Sequence, residues 1–316
     1  MSLPNNIAVG VATETTAGTQ VSAVYDIKTY DESLITPTRT YSQQGRLTGR
    51  KSNPAHTFVG AKAGTANFIV DFLGSGSPTT EPKLAKILTA SGFLYTGASL
   101  ANTYLLDGTT PCETLSYSNT KYGCGTTPTG DTDHLIGAVP ALTIAGETVG
   151  SEIKVTVDLT GGYLHDTTAT ATLHTYAGLD TANPLKFMGG VYSIGGTAVD
   201  IQSFSLATNP TVAPRMDATD LVTNIARHSI TDLVGRQFTM SYIKPLLATK
   251  DFATEFDDET VYNTLVLELL SASGNKGKIT LTNCQVVDWG DEKGGSDIFT
   301  NATVNFETAE IDLDYA

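Results

Sequence analysis

The sequence has few charged residues, few cysteines and no long apolar runs, and each shortage excludes a class of protein. Charged residues make up 16% of the 316 residues, which is too few for a coiled coil or an ordinary helical bundle. No apolar stretch approaches the roughly 18–20 residues that a membrane-spanning helix needs. The N-terminus lacks the basic start and apolar core of a signal peptide. We therefore expect a cytoplasmic product with no membrane partner.

The cysteines are odd in number, namely Cys112, Cys124 and Cys284. A Cys112–Cys124 disulfide remains open, although a reducing cytosol favours free thiols. Cys284 lies in an alternating run, so we expect it to pack as a small apolar residue. A disulfide-based scaffold is therefore not expected.

What the chain does have is turn formers and alternating segments. It contains 30 glycines and 12 prolines, a composition that suits many short strands and turns. From Thr65 to Phe72, apolar side chains alternate with polar ones, which predicts a strand with one buried face. The segment from Glu81 to Leu88 is the best helix candidate, and Gly92 can end it. The predicted fold class is mainly β, with antiparallel sheets in a sandwich or barrel and short flanking helices.

Composition also divides the chain. We expect an N-terminal arm over 1–25 and a first β domain over 26–165 that contains a long loop at 97–135. Residues 166–190 are rich in glycine and turn formers, and we interpret them as a connector. A second β domain should then occupy residues 191–316.

The two halves share a pattern. His56-Thr57-Phe58 matches His228-Ser229-Ile230 at an offset of 172 residues, and at the same offset the alternation from Thr65 falls on that from Gln237. The helix stripe repeats at an offset of 168. Order, alternation and helix position all recur, so we predict two tandem similar domains.

This pattern assigns side chains to two faces. The candidate core residues are Phe68, Val70, Phe72, Leu84, Leu88, Phe238, Met240, Tyr242, Phe252 and Phe256. The candidate polar residues, which would face a lumen or bulk solvent, are Thr65, Asn67, Asp71, Gln237, Thr239 and Ser241.

Charge is unevenly distributed. The formal net charge is −14, which disfavours non-specific binding to nucleic acid. No acid lies between Glu32 and Asp71. The basic residues in that stretch are Arg39, Arg46, Arg50, Lys51 and Lys62. We expect this stretch to be a loop, which is either solvated or in contact with the acidic surface of another copy.

Catalytic motifs are missing from the sequence. None of the five histidines lies in a zinc-protease or zinc-finger spacing. No phosphate-binding loop or nucleophile elbow is present. We therefore expect no catalytic residue, no metal and no cofactor. A metal-dependent hydrolase that uses His134, His165 or His174 remains an alternative.

Several segments occur in a familiar order. Glu14-Thr15-Thr16-Ala17-Gly18-Thr19 comes first, and the alternating strand at 65–72 follows. Leu-Ala-Lys-Ile-Leu-Thr-Ala-Ser-Gly-Phe lies at 84–93, and Val-Tyr-Ser-Ile-Gly-Gly lies at 191–196. In this order they resemble the tail tube proteins of long-tailed bacteriophages and related prophages. The resemblance covers residues 10–310.

The resemblance implies a structural protein of the virion tail, not an enzyme, assembled in the cytoplasm of an infected bacterium. Its subunits would form stacked rings whose sheets join as a continuous inner barrel, through which genomic DNA passes without specific binding during ejection. The basic residues, with the arm and the long loop, would serve ring stacking. Further implied partners are a tape measure protein and tail terminator or baseplate proteins. Family members with one tube domain form hexameric rings, so a duplicated chain would form a pseudo-hexameric trimer.

Two alternatives remain open beside this function. A distal tail or baseplate ring protein has the same fold. A glycan-binding or receptor-binding β-sandwich has a similar composition, but it should carry a signal peptide and an aromatic platform, and Trp289 is the single tryptophan. If the tube function holds, acidic side chains on the channel wall would keep DNA centred by repulsion.

Overall fold

The architecture comes from a computed structural model of the 316-residue chain. The structure describes residues 7–22, 24, 27–30, 34–44, 56–97, 102–108, 113–122, 130–166, 180, 182–215, 227–233, 235–243, 251–271, 276–294 and 297–315. Arg46, Arg50, Lys51, His174, Cys112 and Cys124 lie outside these ranges.

Strands form most of the described chain. The elements of the first half are β1 (Ile7–Thr13), β2 (Thr36–Gln44), β3 (His56–Asp71), α1 (Ala85–Ala90), β4 (Leu94–Tyr95), β5 (Asn102–Leu106), β6 (Leu115–Tyr122), β7 (Gly130–Gly146) and β8 (Lys154–Asp166). Those of the second half are β9 (Leu185–Lys186), β10 (Tyr192–Ile194), β11 (Thr197–Ala198), β12 (Ile201–Ala207), β13 (Thr211–Arg215), β14 (Arg227–Asp232), β15 (Gln237–Ile243), α2 (Phe252–Asp257), β16 (Val261–Ser271), β17 (Lys276–Gly294), β18 (Asp297–Asn305) and β19 (Thr308–Tyr315).

The prediction of a mainly β, antiparallel fold is confirmed. Seventeen strands belong to one hydrogen-bonded network, and β13 and β14 form a separate two-stranded sheet. The strand pairings between named strands are antiparallel, for example Phe68 with Val157 in β3 and β8. The two six-residue helices are the helices of the described residues, and none there is long or apolar enough to cross a bilayer.

The two halves place their strands in the same order. In the first half, neighbouring strands follow the order β1-β6-β7-β8-β3-β2. In the second half they follow β10-β16-β17-β18-β15-β12. Numbered by their position in the sequence, the six strands of each half have the same spatial order, 1-4-5-6-3-2. A short helix follows β3 in one half and β15 in the other.

Two long strands change neighbours partway along. The beginning of β7 pairs with β6, whereas residues 143–146 of the same strand pair with β12. The beginning of β17 pairs with β16 and β19, whereas its end pairs with β18. Strands that pass from one layer to another in this way are typical of packed β-sheets. Because β12 belongs to the second half, its pairing with β7 joins the two halves into one sheet.

One hydrophobic cluster fills the space between the sheets and the helices. Of the candidate core residues, the buried ones are Phe68, Val70, Phe72, Leu84, Leu88, Phe238, Met240 and Tyr242. Phe68 stacks on Tyr117 with ring centroids 5.4 Å apart, and Phe238 stacks on Phe204 at 6.1 Å. Cys284 is free and fully buried in the same cluster. Aromatic pairs of this kind stabilise both halves of the core.

The assignment of Phe256 to the core is wrong. Its side chain is 38% exposed at the end of α2, whereas Leu88 in the first-half helix is fully buried. Helix α2 carries Thr254 and Glu255 beside Phe256 and is followed by Asp258, so it offers a narrower apolar stripe than α1. The side chain of Phe252 lies outside the described residues.

The expected N-terminal arm over 1–25 is also wrong in its first part. Residues 7–13 form β1, which pairs with β6, and Val9 and Val11 are buried. Small apolar residues occupy consecutive positions of β1 and both faces are covered, so the strand has no alternation for a sequence pattern to detect.

The expected long loop at 97–135 contains β5, β6 and the beginning of β7 instead. Residues 116–120 are Ser, Tyr, Ser, Asn and Thr, and each of them is buried. Their polar composition is typical of a loop, but side-chain hydrogen bonds such as that between Thr120 and Thr132, 3.1 Å, satisfy them inside the sheet.

The expected connector at 166–190 is only partly described. Its last residues belong to the core, because Leu185 and Phe187 are buried and Leu185 pairs with Ser271 of β16. The helix predicted over Glu81–Leu88 begins later, at Ala85, and Gly92 ends it with a φ of 95°.

Candidate functional site: two open edges of one sheet

Eight strands form a continuous sheet that crosses both halves and ends in two open edges. Their order is β2-β3-β8-β7-β12-β15-β18-β17, and we call this the long sheet. At one end, β2 pairs with β3 alone among the described strands. At the other end, residues 286–294 of β17 pair with β18 alone in the same part of the chain. Open edges are templates for pairing with another chain.

The centre of the long sheet shows how such edges join. Residues 143–146 of β7 pair with β8 on one side and with β12 on the other, in the register Thr143 with Ala207 and Gly146 with Phe204. Thr208 reinforces the junction, because Leu142 donates its N–H to the Thr208 hydroxyl at 3.0 Å. Strand β14, which pairs with β13, then packs against β7 and β8.

One face of the long sheet is polar in both halves. Thr65, Asn67, Gln237 and Thr239 are exposed there, and Asp71 and Ser241 are half-buried. Across the centre, the same face continues through small and hydroxyl-bearing residues, namely Thr156, Thr143, Ala145, Ser205, Thr303 and Asn301. The opposite face carries the core residues. The long sheet therefore presents a continuous, mainly polar face on which uncharged side chains outnumber charged ones.

Charges on this polar face are few. The described ones are Asp71, Lys154, Asp158 and, at the β17 edge, Asp288. Asp158 accepts a hydrogen bond from the Asn67 amide. Most carboxylates of the described chain therefore lie away from this face, which differs from the expected lining of acidic side chains.

Asp71 belongs to a small cluster with Tyr30. The Tyr30 hydroxyl donates to Asp71 Oδ2 at 2.8 Å, and Lys154 Nζ lies 3.8 Å from the centre of the Tyr30 ring. The hydrogen bond to Asp71 and partial burial raise the pKa of Tyr30. Burial raises the pKa of Asp71, although the bond from Tyr30 opposes the shift. These contacts fix the segment before β2 against the sheet.

Two of the five basic candidates are described. The expected loop is wrong at both of them, because Arg39 lies on β2 and Lys62 on β3 as cross-strand neighbours. Arg39 is exposed and Lys62 is half-buried. Both lie beside the open β2 edge, so the structure places described positive charge next to one of the two edges.

A buried carboxylate organises the far end of β6, β7 and β8. Asp133 accepts hydrogen bonds from the Tyr163 hydroxyl and His165 Nδ1, both at 2.8 Å, and from Lys121 Nζ at 3.0 Å. Burial opposes its ionisation, but the three donors together hold the pKa of Asp133 below its usual value. Burial and the bond to Asp133 raise the pKa of Tyr163 to about 12. These hydrogen bonds and the ion pair hold β6, β7 and β8 together, and all three donors bind Asp133.

His134 makes a serine–histidine contact that does not form a reactive site. Ser118 Oγ and His134 Nδ1 are 2.7 Å apart, but Ser118 is 1% exposed and His134 is 8% exposed, so no substrate reaches the hydroxyl. Burial lowers the pKa of His134. Among the residues that the structure describes, no three metal-ligating side chains converge on one point. His174 lies outside those residues.

Glu14 is a second buried carboxylate, which sequence reasoning missed. Its Oε2 accepts bonds from Gly18 N–H and the Thr114 hydroxyl, both at 2.7 Å, and its Oε1 accepts bonds from the Ser116 hydroxyl and Gly137 N–H, both at 2.8 Å. Gly137 lies in a β-bulge with a φ of 57°, which points its N–H at the carboxylate. The signal available in the sequence is that Glu14 is the single acid before Asp26.

Asp314 is a third such carboxylate and ties the C-terminal strand to the first half. It accepts bonds from the Ser75 N–H at 2.5 Å, the Ser75 hydroxyl at 2.7 Å and the Asn102 amide at 3.3 Å. Strand β19 also pairs with β5, in the register Ile311 with Tyr104. The two halves therefore share a second junction besides that of β7 with β12.

Small-molecule binding has weak support in the geometry. A cleft of about 190 Å³ lies beside Asp71 and is lined by Lys28, Lys83 and Asp180, among others. A second cleft of about 360 Å³ lies beside α1, and most of the side chains that line it are polar or charged. Ligand pockets are commonly about 300–1,000 Å³ and largely apolar. No protein-family model matches the chain, and no curated protein shows significant similarity to it. The two open edges of the long sheet are therefore the feature of the described chain that best indicates a function.

Proposed function

We propose that this chain is a structural protein of a bacteriophage tail that self-assembles into stacked rings, forming the tube through which genomic DNA passes during ejection. The observation that carries the proposal is the long sheet, which ends in two open edges and joins its own halves edge to edge at its centre. In an isolated copy no described strand covers those edges, whereas a ring of copies would close them.

The repeated strand order supports the proposal of two tandem tube domains. Residues offset by 172 occupy corresponding strands, so that Phe68 pairs with Val157 in the first half and Met240 pairs with Ala302 in the second. Matching ladders on both sides of these strands extend the correspondence to six strands in each half. Three copies would then supply six similar modules, and a head-to-tail arrangement closes when the rotation between copies divides a full turn.

The polar face supports the channel. A wall on which DNA slides must not capture phosphates, because each cation that binds a phosphate adds affinity and friction. The long sheet presents Thr, Ser, Asn and Gln side chains, with Lys154 as the described cation on that face and Asp71 and Asp158 close by. Hydroxyl and amide groups keep the wall hydrated without holding the polymer. The net charge of −14 adds a weak repulsion over distances near about 8 Å.

The remaining assignments follow from the same proposal. The protein would belong to the virion tail after assembly in the cytoplasm of the infected bacterium. Its principal partner is a second copy of itself, and the tape measure, terminator and baseplate proteins would contact the column of rings. No catalytic residue or cofactor enters this function.

Electron microscopy of the purified chain at increasing concentration tests the proposal. We expect rings with a central hole and short stacks of rings, because each contact between copies covers two edges and closure of the ring leaves none open. Circular dichroism of the same sample controls for folding. Compact monomers at every concentration, with a native β spectrum, would overturn the proposal.

A further inference from the structure

The junction between the two halves identifies which surfaces of two copies meet, an inference that depends on the proposed function. In the first half, residues 143–146 of β7 are covered by the edge strand of the second half, β12. The corresponding edge strand of the first half is β2, and no described strand covers the corresponding part of β17. We propose that β2 of one copy pairs with residues 286–294 of β17 in the next copy.

The matching ladders fix the register of this contact. Thr36 pairs with Thr65 as Ala207 pairs with Gln237, and residues 65 and 237 are separated by the offset of 172. Thr36 therefore corresponds to Ala207.

The same reasoning applies to the opposite edge. Gly290 pairs with Asn301, which pairs with Ser241, as Thr143 pairs with Thr156, which pairs with Ile69. Gly290 therefore corresponds to Thr143. Since Ala207 pairs with Thr143 inside the chain, Thr36 faces Gly290 of the next copy, and Thr38 faces Asp288 two residues further along.

The geometry of the two edges permits the contact. Thr36, Thr38, Asp288 and Gly290 are all exposed. A Cβ atom built on Gly290 meets no atom within 4 Å, so a larger side chain fits at this position of the β17 edge.

Charge complements geometry at this contact. The described basic residues Arg39 and Lys62 lie at the β2 side, within the acid-free stretch between Glu32 and Asp71 of the sequence. Residues 286–297 contain Asp288, Asp291, Glu292 and Asp297 against Lys293. A basic edge that meets an acidic edge favours head-to-tail pairing over pairing of like edges. The beginning of β3 corresponds to β14 at the offset of 172, and β14 packs against β7 and β8. We therefore expect the beginning of β3 to contact β17 and β18 of the next copy.

Disulfide cross-linking tests the register. The doubly substituted chain Thr36→Cys/Gly290→Cys, in a Cys112→Ser/Cys124→Ser background, should form covalent dimers and trimers on oxidation, visible by non-reducing electrophoresis. Paired Cα atoms in antiparallel strands are about 4.5–5.5 Å apart, which lies within the range of about 4.4–6.8 Å that a disulfide spans. A second pair, Thr38→Cys/Asp288→Cys, tests the same register independently.

The controls separate the contact from the function. Thr143→Cys/Ala207→Cys places the same pair at the internal junction and should form a disulfide within one chain. Thr36→Cys/Thr264→Cys, with an exposed partner on β16, should give no ladder of covalent oligomers. Rings that form without cross-links at either pair would overturn the inference and leave the proposed function intact. Monomers without any cross-link would overturn both.

Discussion

The two halves of the chain have the same strand order but different edges. In the first half, β12 covers residues 143–146 of β7, whereas the described strands leave residues 286–294 of β17 with β18 alone. The halves therefore differ in whether this edge has a partner strand among the described residues. If the proposed assembly holds, the internal contact of β7 with β12 shows what the contact between two copies should look like.

The largest loss of stability in either half is expected from substitutions in the hydrophobic core. Phe68→Ala and Phe238→Ala should each lower the free energy of unfolding by about 3–5 kcal/mol, because each removes a fully buried ring and leaves a cavity. Urea denaturation of the monomer measures the loss. Similar losses with a single transition would show that the halves form one cooperative unit. Two separate transitions would show that the halves unfold independently and would contradict a single cooperative unit.

A smaller loss of stability is expected from a substitution of Glu14, a buried carboxylate of the first half. Glu14→Gln keeps the shape but replaces one acceptor oxygen with an NH₂ group that faces donors, so we expect a loss of about 2–3 kcal/mol. Thermal unfolding measures the change. Glu113→Gln, an exposed residue next to Thr114 in the sequence, provides the control, and equal stability of the two variants would contradict the role of Glu14 as a buried acceptor.

His134 should give the first half a pH dependence. Burial lowers its pKa in the folded state, so the unfolded chain takes up the proton first as the pH falls through about 6.5. Stability should therefore decrease from about pH 7.5 to about pH 5.5, with a slope of at most about 1.4 kcal/mol per pH unit. Asp133, Asp166 and His165 are the titratable groups that act on it.

The melting temperature measured across that range tests this expectation. His134→Asn, which keeps a polar atom near Ser118, should flatten the profile. A variant with the same slope as the parent chain would assign the dependence to another group.

The smallest effect is expected at the exposed end of α2. Phe256→Ser should change the stability of the monomer by less than about 0.5 kcal/mol, because the ring is 38% exposed. Leu88→Ala in α1, where the side chain is fully buried, should cost about 2–5 kcal/mol. Equal effects in chemical denaturation would show that the two helices pack alike and would remove this difference between the halves.

Sequence patterns predicted the strands that have one buried face and one solvent-exposed face. The alternation around Phe68 and Met240 was legible because their strands have polar neighbours on the opposite face. Strand β1 was missed because both of its faces are buried, and β6 was missed because its buried side chains are polar. The alternation of apolar and polar residues indicates which side chains are exposed, but it does not indicate which buried polar side chains are hydrogen-bonded.

The candidate site was predictable only in outline. Sequence showed the basic stretch that contains Arg39 and the acid-rich residues after Asp288, but it did not show that each lies at an open edge. The clusters around Glu14, Asp133 and Asp314 depend on contacts between residues far apart in the chain. Such contacts require the strand register, which a single sequence does not contain.

Native mass spectrometry of the assembled particle tests the central claim most directly. Closure of the open edges by three duplicated chains predicts a species of about 100 kDa, three times the 33.3 kDa chain, with multiples of that mass from stacked rings. A chain that remains at 33.3 kDa across all concentrations would contradict it.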